Sequence, residues 1–66
     1  MQVLVNGTKY NFPDNISIAQ MLTHLNVDTR KVAIEHNLSI ISGSLYSHTT
    51  LNEGDVCEIV QFIGGG

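Results

Sequence analysis

The groups in this sequence that could carry chemistry are few: three histidines, one cysteine, a short acidic run and a glycine triplet at residues 64–66. His24, His36 and His48 recur at even intervals, but they fall on a helix, a strand end and a loop. No cysteine or carboxylate joins them at the spacing a metal requires, so they read as ordinary surface or half-buried side chains, with no metal site and no catalytic residue expected. Cys57, flanked by Val56 and Glu58, has no nearby basic group to lower its pKa and reads as a packed thiol. As the only cysteine it can form no internal disulfide, which fits a reducing compartment. Glu53, Asp55 and Glu58 make an acidic cluster, read as a solvated edge that could also meet a basic partner surface. The glycines form no phosphate loop, because neither a helix nor a lysine follows them.

What Gly64, Gly65 and Gly66 do offer is reach. Three extended residues span on the order of 10 Å, and without side chains they can thread a slot too narrow for any other residue. A carboxylate on Gly66 would thereby be presented inside another protein's active site. A carboxylate is inert until activated, and the usual activation is attack on the α-phosphate of ATP to give an acyl-adenylate. The groups that stabilise the leaving pyrophosphate would have to lie in the partner enzyme. The chain is therefore expected to be a carrier and substrate rather than an enzyme, with no bound cofactor of its own and ATP used by the activating partner. The bland reading is a frayed end or a linker remnant. Such a remnant would be indifferent to what precedes it, whereas these glycines leave directly from a strand. Phe62 and Ile63, just before the triplet, are the natural apolar anchors for docking on the activating enzyme, with completion of the core as their second reading.

The elements that must position this tail follow from local signals. In MQVLVNGTKYNF, Asn6-Gly7 sits between two β-prone runs, the strongest short-range hairpin signal, and Pro13 with Asp14-Asn15 ends the second strand. In ISIAQMLTHLN the period changes: Ile18, Met21, Leu22 and Leu25 share one helical face, and Ser17 with Gln20 makes a capping box ahead of it. Ile16 is placed to close a hydrophobic staple on Met21. The helix is expected over 18–25, with Asn26 as a left-handed C-cap, and the polar DTRK returns the chain to the sheet. KVAIEHN reads as a third strand with Val32 and Ile34 on one face, and LSII as its partner beyond a turn at Asn37. SGSLYSHTTLNEGD is expected to be mostly irregular, tacked to the core by Leu45, Tyr46 and Leu51. VCEIVQFI reads as the last and most buried strand, covered by the helix on one side and partly on the other. The order gives an α+β, β-grasp arrangement: a mixed sheet with one main helix on one face and the last strand between the first and third, parallel to the first. The chain divides into a β-grasp domain, 1–63, and a flexible glycine tail, 64–66.

Composition narrows the function. With 66 residues, 42% apolar and 14% charged, the chain is a single small globular unit. A net charge of −3 with Lys9, Arg30 and Lys31 as the only basic residues excludes a phosphate-binding surface and hence nucleic acid. There is neither a secretion signal nor an apolar run approaching the roughly 18 residues of a membrane span, so a cytoplasmic protein is expected, without a membrane partner.

Taken together, the VNG hairpin, the SIAQMLTHL helix, the VAIEHN strand, the LNEGDVCEIV turn and strand, and the closing GGG resemble the ThiS family of ubiquitin-like sulfur carriers in thiazole biosynthesis, over essentially the full length. The resemblance implies that a ThiF-like enzyme adenylates Gly66 with ATP. The adenylate would be converted to a thiocarboxylate with sulfur from a cysteine persulfide, such as that of a cysteine desulfurase, and the thiazole synthase ThiG would use that sulfur. The 42–50 loop departs from the family pattern, which has a proline-basic pair near SGS, and this bears on partner contacts. The small subunit of molybdopterin synthase is similar in fold and tail, but its members approach the diglycine through a proline that VQFIGGG lacks. The same residues could also belong to a ubiquitin-like modifier joined to lysines, or to a non-covalent module whose glycines do nothing.

Overall fold

The structure is a computed structural model and describes residues 1–62. Strand β1 (Gln2–Val5) turns through Asn6 and Gly7, both at positive φ, into antiparallel β2 (Thr8–Asn11). Asparagine and glycine are the residues that tolerate this left-handed pair, whose twist matches that of the flanking strands. Helix α1 (Ile18–His24) begins at Ser17, whose side chain accepts from the Gln20 N–H while the Gln20 side chain accepts from the Ser17 N–H. It ends at His24, one residue short of the expected end, with Leu25 as the C-cap, and Asn26 takes the left-handed conformation just beyond.

The DTRK segment is more ordered than its polarity suggests. Asp28 caps a single 3₁₀ turn, Thr29–Lys31, and its carboxylate grips the Arg30 guanidinium at 3.1 Å through both oxygens. Strand β3 (Val32–His36) then pairs antiparallel with β4 (Ser39–Ile41) through a turn at Asn37 and Leu38, both at positive φ. The next segment, expected to be irregular, contains a second 3₁₀ helix, Gly43–His48. From it Tyr46 is buried and donates to the Val32 carbonyl, and Leu51 is buried beyond it. Leu45 is not the anchor it was expected to be: it is half exposed, because the tight three-residue turn that points Tyr46 inward rotates its neighbour outward.

Strand β5 (Val56–Gln61) completes a sheet of order β2-β1-β5-β3-β4, with β5 parallel to β1 and antiparallel to β3. The central position and mixed pairing agree with the expected β-grasp arrangement. One expectation fails. β5 is not the most buried strand, since only Cys57 on it is fully buried, whereas β1 and β3 each bury two residues. The helix covers one face only, and the other face of β5 is open.

The core lies between α1 and that covered face. Ile18, Met21 and Leu22 pack with Val3, Val5, Val32, Ile34 and Cys57, closed at one end by Phe12, Ile16 and Leu51. Each such side chain contributes about 1.5–3 kcal/mol when fully withdrawn from water. A helix this short is unstable alone, so this packing, with the cap, is what holds α1. Among the described residues no helix is long and apolar enough to cross a membrane.

Candidate functional site: the root of the glycine tail

β1 ends opposite Cys57, while β5 runs on to Gln61 with no strand beside it on that side. The Asn6 side chain takes the place of the missing strand. After the Asn6 N–H has donated to the Cys57 carbonyl at 3.0 Å, its carboxamide donates to the Ile59 carbonyl at 3.2 Å and accepts from the Ile59 N–H at 2.6 Å. One amide thus supplies both halves of a ladder rung that a peptide group would have made. On the other side β3 pairs with β5 as far as Gln61, and the Phe62 N–H donates to the Lys31 carbonyl at 2.9 Å. The strand is held on one flank as far as Ile59 and on the other as far as Phe62. Beside this stretch, Val5, Thr8, Tyr10, Leu25 and Ile59 line an open concavity of about 500 Å³.

The start of β5 is held by a second network. Asp55 is buried, and its carboxylate accepts from the Asn52 N–H at 2.9 Å and the Asn37 amide at 3.1 Å, and pairs with His36 Nε2 at 2.7 Å. Burial acts to raise the Asp55 pKa, yet the hydrogen bonds of His36, Asn52 and Asn37 outweigh it and hold the carboxyl below its ordinary value. The Asn37 side-chain Oδ1 accepts from the Val56 N–H in turn. Here the reading of Glu53, Asp55 and Glu58 as one solvated edge is corrected, since Asp55 turns inward to these donors and Glu53 accepts from the Gln2 N–H.

The structure separates the other candidates. His24 lies edge-on to Phe12, itself stacked on Tyr10, and His48 is exposed at the end of the second 3₁₀ helix. Among the described residues no three histidine, cysteine or acidic side chains gather as a metal site would need. Cys57 is fully buried, and burial, with the charges of Asp55 and Glu58, pushes its thiol up to about 11, so it stays protonated and unreactive at neutral pH. Phe62 is exposed, which removes the core-completion reading for it. Ile63, Gly64, Gly65 and Gly66, with the domain boundary drawn at 63, lie outside the described residues.

Sequence reasoning missed the Asn6 clamp and the His36–Asp55 pair. The turn asparagine was visible, but its second role depends on β5 arriving beside it. The β3–β5 register, which sets His36 opposite Cys57, brings the histidine to Asp55.

This architecture, a five-stranded mixed sheet with one capped helix and a central last strand leading into the glycines, is that of the β-grasp sulfur carriers. The ThiS family model matches residues 3–66. A crystal structure of the thiamine biosynthesis protein ThiS from Geobacter metallireducens superposes with a TM-score of 0.86 at 28% identity, covering 100% of both chains. Sulfur carrier protein ThiS of Bacillus subtilis is 36% identical over 53 residues, 80% of each chain. A thiazole synthase of Paramagnetospirillum magneticum is 46% identical over 66 residues, all of this chain and 20% of that protein. The chain spans about a fifth of the length of the thiazole synthases it matches. The chain belongs to the ThiS family.

Proposed function

We propose that the chain carries sulfur on its Gly66 carboxylate for thiazole formation. A ThiF-like enzyme joins that carboxylate to AMP, releasing pyrophosphate from ATP. The terminal sulfur of a cysteine persulfide displaces AMP, and cleavage of the resulting acyl disulfide by a thiol leaves a thiocarboxylate on Gly66. A thioacid is more acidic than an alkyl thiol, so it is ionised and nucleophilic at neutral pH. Tethering delivers it to the acceptor without release of sulfide.

The observation that carries this reading is the clamped run of β5. Asn6 grips one edge of β5 at Ile59 and the Lys31 carbonyl the other at Phe62, which supports a fixed base for a tether. Thiazole synthase, rather than molybdopterin synthase, is favoured as acceptor by relatives called thiazole synthase in which a stretch like this chain makes up one fifth of the protein.

The test is the intact mass after incubation with the cognate ThiF-like enzyme, ATP, a cysteine desulfurase with cysteine, and a reducing thiol. Exchange of one oxygen for one sulfur at Gly66 is the expected result. An unchanged mass, with the enzyme shown to be active, would sink the carrier reading.

A further inference from the structure

Of the asparagines at 6, 11, 15, 26, 37 and 52, only Asn6 is followed by glycine. That pair has a chemistry of its own. The backbone nitrogen of the next residue lies one ring closure away from the asparagine Cγ, and a glycine there has no side chain to hinder the approach. Gly7 is exposed, a Cβ built on it would meet nothing within 4 Å, and its N–H makes no hydrogen bond among the described residues. The nucleophile is therefore free and in water.

The electrophile is held. The Asn6 carboxamide is the clamp on β5, donating to the Ile59 carbonyl at 3.2 Å and accepting from the Ile59 N–H at 2.6 Å. The ring closes only when the carboxamide swings off β5 toward its own main chain, so both bonds must first break. They lie beside the open concavity that Asn6, Ile59 and Gln61 line together, and exposed bonds of this kind open locally without global unfolding.

We infer that Asn6 is a site of spontaneous deamidation, gated by its grip on β5, and that the reaction irreversibly unhooks the strand leading into the glycines. The Gly7 nitrogen attacks Asn6 Cγ and passes its proton through water to the departing Nδ2. The Cγ–Nδ2 bond breaks, ammonia leaves, and a five-membered imide remains. Water then adds to one of the two imide carbonyls and splits its bond to nitrogen. Opening at Cγ leaves aspartate; opening at the main-chain carbonyl leaves isoaspartate, with the backbone rerouted through the side chain and one methylene longer. One water enters and one ammonia departs, and no oxidant or enzyme is required. Either product is an ionised carboxylate at neutral pH. It has no N–H to give the Ile59 carbonyl and sets a negative oxygen against it. The longer isoaspartyl backbone also breaks the turn that pairs Val5 with Thr8. The inference rests on the carrier reading only in calling β5 the root of a tether.

The test follows the full chain at neutral pH by intact mass, with peptide mapping and enzymatic methylation of isoaspartate to place the change. Replacement of NH2 by OH should accumulate at Asn6 ahead of every other asparagine. It should run about tenfold or more slower in the folded chain than in denaturing urea, since two hydrogen bonds must open. As urea is added below the unfolding transition, the rate should rise in step with hydrogen exchange at the Ile59 N–H while exchange at Val3 stays slow. The deamidated chain, separated by its extra negative charge, should exchange Ile59 about tenfold or more faster than the fresh chain. An Asn6 that stays intact in urea would overturn the site, and equal rates in the folded and unfolded chain, or a rate that tracks Val3, would overturn the gating. Unchanged protection of Ile59 in the deamidated chain would overturn the unhooking. A chain that deamidates in this way yet is never thiocarboxylated by an active enzyme would overturn the carrier reading and leave this one standing.

Discussion

Asp55 and Asn6 show how much a single polar side chain can hold in so small a core. Asp55 accepts from three groups on two segments, and its depressed pKa is a statement about stability. A carboxyl with a lowered folded-state pKa stabilises the fold above its unfolded value of 3.8, and that stabilisation is lost as the pH falls through the folded value. Replacing Asp55 by Ala should cost about 1–3 kcal/mol at neutral pH, because buried donors lose their acceptor. The gap between wild type and variant should narrow below pH 3.8. Urea unfolding of both proteins at pH 7 and at pH 3 would measure this. Asp28, whose hydrogen bond with Arg30 lowers it to about 2, titrates in the same direction, but it is partly exposed and unchanged by the substitution, and comparing the two proteins cancels it.

At the scale of elements, the first hairpin does more than pair β1 with β2. Its turn places the Asn6 carboxamide where β1 would have continued, and so lets β5 outrun its neighbour. Asn6→Gly keeps a residue that favours positive φ but removes the clamp. It should cost about 1 kcal/mol overall, and hydrogen exchange should quicken at the Ile59 and Phe62 N–H groups well before that of Val3. Uniform acceleration at all three would mean that the turn, and not the clamp, had been lost. The second hairpin is made differently: Leu38 holds a left-handed conformation while 90% exposed, a costly choice for a residue with a side chain. The capping box of α1 was legible in the sequence because its two members lie three residues apart. The open face of β5 was not, because an apolar run reads the same whether one face of the sheet is covered or both.

For the whole molecule, the buried core among the described residues runs from Val3 to Cys57, and a tail that serves as a tether is expected to leave it intact when removed. Deleting Gly65 and Gly66 should abolish thiocarboxylation while leaving the thermal unfolding curve nearly unchanged; a large fall in the midpoint would mean that the glycines are structural. The sequence by itself determined the hairpin at Asn6-Gly7, the start of α1 and the chain's class, since each depends on backbone preferences or a hydrophobic period within a dozen residues. The tertiary structure decided the clamp of Asn6 on Ile59, 53 positions away, and the pairing of His36 with Asp55, 19 away. It also set Glu35 opposite Glu58. The physical reason is common to all three: strand neighbours and register are set by which faces bury one another against the helix, and no local stretch contains that information.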